Sequence, residues 1–276
     1  MVNQHNAEKE LAYLHDLYVA PDWGERFAEL IDEHVTLPKE GAALYVAAGT
    51  GGHALALKER AGKDVTLIGV DESEERLVLA RAKATAAKLG AKTEFRVTQL
   101  EALDFADDQF ALVVGDASLV APERLPEILA EMIRVAAPGG TVALNLPTAS
   151  SFGEFFSIYW EALSNIDLLA EAPLVEQLIT ELPTISDIEQ LAEREGLDEV
   201  QTWTRIEEFD YASGAEFLNA PLVKDFLMSK WFEPIADEET HARVLAEITR
   251  IIDEERHEGE FALSIKATLV VGQKAD

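Results

Sequence analysis

The chain of 276 residues has no cysteine, no long apolar run and little positive charge. Zero cysteines exclude disulfides, a thiol nucleophile and thiolate metal sites, and agree with a reducing compartment. No apolar run approaches the roughly 20 residues that a membrane span needs. The opening stretch M-V-N-Q-H-N-A-E-K-E holds no apolar signal core, which argues against secretion and for the cytoplasm. Only 23 basic side chains stand against 52 acidic ones, a net charge of −29. Such a surface repels phosphate backbones and anionic lipid, so neither nucleic acid nor a membrane is an expected partner. A well-solvated surface is the plain reading of the charge. Salt adaptation, or an acidic mouth that attracts cationic substrates, are the others. Internal repeats and low-complexity linkers are lacking as well.

Apolar residues make up 48% of the chain, enough for a real core. Apolar spacing predicts helices over 7–19 and 24–35, with Pro21 between them. From there strands at 43–48, 65–70, 93–98, 110–115 and 141–146 alternate with helices at 52–61, 73–89 and 122–137. Ser73 is placed to cap its helix, Gly90 to stop it, and Pro122 to open the next. Pro138, Gly139 and Gly140 turn the chain into the strand T-V-A-L-N-L. This alternation predicts an α/β fold: a Rossmann-like doubly wound sheet, mostly parallel with an antiparallel last strand, plus a helical insertion or lid. After Pro147 the pattern turns helical over 152–182, with aromatics at Phe152, Phe155, Phe156, Tyr159 and Trp160. Ser186 and Glu189 read as a capping box opening a helix to about Glu195. A strand at 199–208, helices near 213–227 and 237–257, and a final alternating strand F-A-L-S-I-K-A-T-L-V-V complete the chain. The expected division is 1–40 N-terminal helices, 41–147 nucleoside-binding core and 148–185 helical lid segment. Residues 186–276 then complete the core, with a helical insertion at 213–258.

The stretch A-L-Y-V-A-A-G-T-G-G-H, residues 43–53, breaks from a strand into a glycine turn and then a helix. Asp71 ends the next strand, twenty positions after Gly51. Glycines let backbone approach a ligand, and a carboxylate about 20 residues on accepts hydrogen bonds from ribose hydroxyls. Gly49, Gly51 and Asp71 are therefore candidate nucleoside contacts. Asp116, closing the fourth strand, faces the same crevice, because ligands in open α/β sheets lie beyond the carboxyl ends of strands.

Four stretches in order resemble the motifs of class I S-adenosylmethionine-dependent methyltransferases, the small-molecule group called type 11. They are L-Y-V-A-A-G-T-G-G, then G-V-D-E-S-E-E-R-L-V-L-A-R, then F-R-V-T-Q-L-E-A-L-D-F-A-D-D-Q-F-A-L-V-V, and E-M-I-R-V-A-A-P-G-G-T-V-A-L. The resemblance covers residues 18–147 well and 186–272 loosely. It implies S-adenosylmethionine as cofactor, S-adenosylhomocysteine as product and a small-molecule methyl acceptor. It also implies Ala47, Gly49, Gly51, Asp71, Glu72, Gln99, Leu100 and Asp116 as the cofactor-binding set. Three positions depart from the family pattern. Tyr45 stands where the family carries an acid that helps hold the methionine amino group. Ala47 replaces the first loop glycine, tolerable at a negative φ. Gln99 replaces an aspartate that reads the adenine amine. Asp116 is a candidate substitute for the missing acid.

No catalytic residue is assigned by the motifs. His53, beyond the glycine loop, reads as an exposed first-turn histidine, with a substrate-side base as the sharper alternative. His241 and His257 lack metal-ligand spacing, and no metal is expected. The sequence G-D-A-S-L around Asp116 lacks the asparagine-proline-proline-aromatic signature of nucleobase amine methylases. The aromatic cluster after the fifth strand reads as core, or as a substrate lid by family analogy, with Tyr13, Tyr18 and Trp23 opposite. The expected activity is methyl transfer to an oxygen, nitrogen or carbon nucleophile. The alternatives are a non-catalytic binding protein on the same scaffold and a nicotinamide-dependent oxidoreductase. A homodimer is left open.

Overall fold

A computed structural model describes residues 2–233, 235, 237–255 and 261–275. The chain begins with an unbroken helical run in place of two helices parted by Pro21. Helix α1 (Val2–Leu14) passes into a π-helical segment (His15–Gly24) and then into α2 (Glu25–His34). Proline cannot donate an i→i−4 hydrogen bond, and widening the turn lets the helix carry Pro21 without ending. This widened turn puts His15 and Asp16 at its start, which matters below.

The core then alternates as the apolar pattern requires. It runs through β1 (Glu40–Val46), α3 (Gly52–Arg60), β2 (Asp64–Asp71), α4 (Glu74–Ala86), β3 (Thr93–Val97) and β4 (Phe110–Asp116). After these come α5 (Leu125–Val135) and β5 (Ala136–Pro147). Ser73 caps α4 as expected, its Oγ accepting from Arg76 N–H. Gly90 does not stop that helix. Lys88 takes the left-handed conformation at φ +59, and Leu89 N–H closes onto the Ala84 carbonyl at 2.9 Å. This Schellman-type closure ends α4 before the glycine is reached. One face of α5 buries Leu125, Ile128, Leu129, Met132 and Ile133 against β4 and β5. The proline-glycine-glycine run lies inside β5, with Gly139 at φ +69 and a register shift opposite Phe110 and Leu112. The expected turn is a bulge within one long strand.

The remaining elements are α6 (Gly153–Asn165), α7 (Ala172–Glu181), α8 (Ile185–Arg194), β6 (Leu197–Tyr211) and α9 (Gly214–Asn219). They end with α10 (Met228–Trp231), α11 (Glu238–Arg250) and β7 (Phe261–Lys274). Ser186 falls inside α8, where it accepts from Gln190, and Glu189 accepts from Thr202 at 2.6 Å, so the two form no capping box. The seven strands are ordered β3-β2-β1-β4-β5-β7-β6, mostly parallel with antiparallel last strands. Chain order reverses between β1 and β4, the switch point at which such sheets leave a crevice for a ligand.

Two compact units are distinguished. Met1–Leu146, Ile185–Thr204 and Ala267–Asp276 form one, with the candidate site wholly inside it. Pro147–Thr184 and Arg205–Lys266 form the other. The aromatic cluster is core of the second unit: Phe155 stacks on Trp231 at 4.3 Å, while Trp160 stays exposed. There His241 lies against Phe232, and His257 is outside the described residues.

Candidate functional site

The glycine turn and the acid of β2 meet directly. Gly49 N–H donates to Asp71 Oδ2 at 2.9 Å, and Ser73 N–H donates to Oδ1 at 2.9 Å. Ala48 N–H reaches the Val70 carbonyl at 2.8 Å, so the end of β1 is stitched to the end of β2. Asp71 is buried, with Arg76 Nη1 at 3.5 Å from its Oδ1. Ala47, Gly49 and Gly51 all take positive φ, at +56, +55 and +78. The negative φ at which alanine would be readily tolerated is not the one found: the first loop position keeps the conformation that glycine favours and places an L-residue in it. A Cβ on Gly51 would come within 2.7 Å of Ala80 Cβ, so its bareness serves the packing of α4 on the loop.

The widened helical turn lies on this loop. The His15 ring touches Gly49, where an added Cβ would lie 2.9 Å from Cε1. Asp16 accepts from Thr50 Oγ1 at 2.6 Å and pairs with Lys83 of α4. Burial foremost, then the charge of Arg76, holds the His15 pKa down at about 4. Burial pushes the Asp16 carboxyl up, but the bonds from Lys83 and Thr50 outweigh it and leave it below the usual carboxylate range.

Across the switch point, Asp116 is half-buried, and its Oδ1 accepts from Ser118 N–H at 3.0 Å. Loss of water around it raises its pKa despite that bond, and the charge of Asp71 adds to the rise. Two acids therefore act on one crevice. Trp23 Nε1–H donates to Ser118 Oγ at 2.9 Å, tying the N-terminal helix to the loop after β4.

His53 is not the exposed residue expected. It is half-buried, its Nδ1 lies 2.8 Å from Tyr45 Oη, and its Nε2 lies 3.0 Å from Asp32 Oδ1. Asp32 also pairs with Arg60. Glu72 is held by Arg124 at 2.7 Å, and the same guanidinium grips Glu101, joining the loops after β2 and β3. Leu100 is buried in the same apolar core as Val70 and Ala117, and Gln99 is exposed just after β3. The structure thus brings together Ala47, Gly49, Gly51, Asp71, Asp116 and His53, sets Glu72 in an ion cluster, and keeps Leu100 in the core. Sequence reasoning missed His15, Asp16, Asp32, Lys83 and Arg124. Each acts through a partner distant in sequence, and a widened helical turn gives the first two no periodic signal.

A cationic nucleoside fits these residues. Asp71 spends two of about four acceptor positions on backbone N–H groups, leaving others for ribose hydroxyls. Asp116, desolvated and near a second acid, gains from a positive neighbour. Among the described residues no group of three metal-ligating side chains converges, and no helix is long and apolar enough to cross a membrane.

Comparison with known proteins gives a consistent picture. A family profile described as "Methyltransferase domain" matches residues 43–140. A demethylmenaquinone methyltransferase of Shouchella clausii is 34% identical over 128 residues, 44% of this chain and 53% of the relative. Another, of Bacillus velezensis, is 30% identical over 176 residues, 59% of this chain and 74% of the relative. The chain spans about half the length of the first curated relatives it matches. The crystal structure of the YcgJ protein from Bacillus subtilis superposes with a TM-score of 0.60 at 17% identity, covering 91% of this chain and 99% of that one. That likeness concerns the fold.

Proposed function

This chain belongs to the class I S-adenosylmethionine-dependent methyltransferases, and on that footing we propose that it transfers the cofactor's methyl group to a small-molecule acceptor. The observation that carries the reading is the 2.9 Å bond from Gly49 N–H to the buried Asp71 carboxylate, which joins the carboxyl ends of β1 and β2 next to the switch point of the sheet. In this reading Asp71 receives the ribose diol, Gly49 and Gly51 leave backbone open to the ligand, and Glu72 with Arg124 walls the base. When bound, the cofactor supplies an electrophilic methyl on sulfur, so the protein's part is binding, alignment and exclusion of water. A protonated acceptor also requires a base.

The names of the curated relatives make a demethylmenaquinone-type ring carbon the first acceptor to assay, with oxygen and nitrogen nucleophiles after it. A net charge of −29 supports a small molecule over nucleic acid, and the reading takes the cytoplasm as the place of action. Calorimetric titration with S-adenosylmethionine and S-adenosylhomocysteine, followed by transfer of labelled methyl to an acceptor panel, tests it. Binding with transfer supports the proposal. Binding without transfer to any acceptor counts against methyl transfer to a molecule of that panel, and no binding at millimolar ligand refutes the proposal and favours a degenerate, non-catalytic binding protein on this scaffold.

A further inference from the structure

The strand that carries the glycine loop has a tyrosine where an acid would put a negative charge into the crevice, and the structure shows what stands behind it. Tyr45 is buried, and its hydroxyl lies 2.8 Å from His53 Nδ1. His53 Nε2 lies 3.0 Å from Asp32 Oδ1. The carboxylate can only accept, so Nε2 donates to Asp32, and in the tautomer that leaves Nδ1 bare that nitrogen accepts the Tyr45 O–H. Burial and the charges of Asp116 and Asp32 hold the Tyr45 pKa well above its ordinary value, so the hydroxyl remains the donor to His53. A hydroxyl that donates along such a chain has a more negative oxygen, and its lone pairs stay available.

What that oxygen faces is set by the strand register. Tyr45 pairs with Val114, and Asp116, two residues on, points to the same side of the sheet. Asn145 pairs with Asp116 across β5. Fully buried, Asn145 donates through Nδ2 to the Phe27 carbonyl at 2.7 Å, while its Oδ1 has no partner among the described residues. Three acceptors therefore share one side of the adjacent strands β1, β4 and β5: the Tyr45 oxygen, the Asp116 carboxylate and the Asn145 carbonyl oxygen. A ligand with several N–H donors and a positive charge matches this set.

We propose that the chain Asp32–His53–Tyr45, together with Asp116, is the seat for the positively charged amino group of the cofactor's methionine end. The acid absent from position 45 has been moved outward to position 32, and its polarity reaches the crevice through the imidazole. This rests on the S-adenosylmethionine reading above and deepens it. Tyr45 and Asp116 touch the ammonium, while His53 and Asp32 act through Tyr45 as positioning residues.

Calorimetry with two probes separates this role from a structural one. S-adenosylhomocysteine carries the amino acid end, and 5′-methylthioadenosine keeps the adenosine and lacks it. Tyr45→Phe, and separately Asp32→Asn, should weaken S-adenosylhomocysteine binding about tenfold, the loss of one contact to a charged group. Binding of 5′-methylthioadenosine should stay at the wild-type level in both. Asp32 is partly exposed, so its variant keeps the test open if Tyr45→Phe fails to fold. Unchanged S-adenosylhomocysteine affinity, or equal losses for both probes, overturns the proposal. So does a wild-type protein that binds the two probes equally. A wild-type protein that binds neither probe refutes the cofactor reading itself, a different failure.

Discussion

Replacing Asp71 by Asn keeps the shape of the side chain and removes its charge. The native carboxylate accepts from Gly49 N–H and Ser73 N–H, both at 2.9 Å, in a buried setting. An amide has one accepting oxygen and a donor NH2 group, so one of the two backbone N–H groups must face another donor. Hydrogen bonds to a charged group contribute about 1.5–3 kcal/mol each, so one lost bond costs about 2 kcal/mol before any repulsion. In a domain of this size that lowers Tm by about 4–8 °C. The loop supported by Asp71 is the proposed cofactor face, so affinity for S-adenosylhomocysteine should fall at least tenfold in the same variant. Urea unfolding and calorimetry, run side by side, read both effects. A folded Asp71→Asn protein with wild-type stability would refute the claim that this carboxylate orders the glycine turn. Wild-type affinity would remove Asp71 from the site.

Three further perturbations follow from the same geometry. His15 has its pKa held at about 4 in the fold against 6.5 when free, so the unfolded chain binds the extra proton between those values. Its contribution is complete above pH 6.5 and declines as pH falls toward 4; between pH 7 and pH 5 wild type should lose about 2 kcal/mol more than His15→Gln in urea unfolding. An equal loss in both proteins would contradict the burial of His15. Ala47→Gly should raise stability by about 0.5–1 kcal/mol, because φ +56 strains an L-residue, and a lower Tm would show that the alanine methyl's packing outweighs the strain. Gly51→Ala combines φ +78 with a contact of 2.7 Å to Ala80, and should cost about 2–4 kcal/mol. A neutral result would mean that α4 shifts freely against the loop.

The alternation of apolar runs and helical faces makes the parallel core legible, and the distance from Gly51 to Asp71 makes half of the site legible with it. Both are local or nearly local patterns. Where two local signals compete, sequence is a weaker guide. Pro21 reads as a break and is absorbed by a widened helical turn, and Gly90 reads as a helix stop although Lys88 takes the left-handed turn first. The proline-glycine-glycine run reads as a turn and is a bulge inside β5. The other half of the site depends on side chains that meet only after folding. Asp16 reaches Lys83, His53 reaches Asp32, and Arg124 gathers Glu72 with Glu101. None of these pairs has a spacing that a helix or strand period would mark. Tyr45 looks like the loss of an acid until the imidazole and carboxylate behind it are seen.

A crystal structure of the protein grown with S-adenosylhomocysteine tests the central claim most directly. The account predicts ribose hydroxyls on the Asp71 carboxylate, the ligand backbone along Gly49, and the amino group between Tyr45 Oη and Asp116. A nucleoside bound elsewhere, or a crevice in which Asp71 contacts only its own backbone donors at saturating ligand, would contradict it.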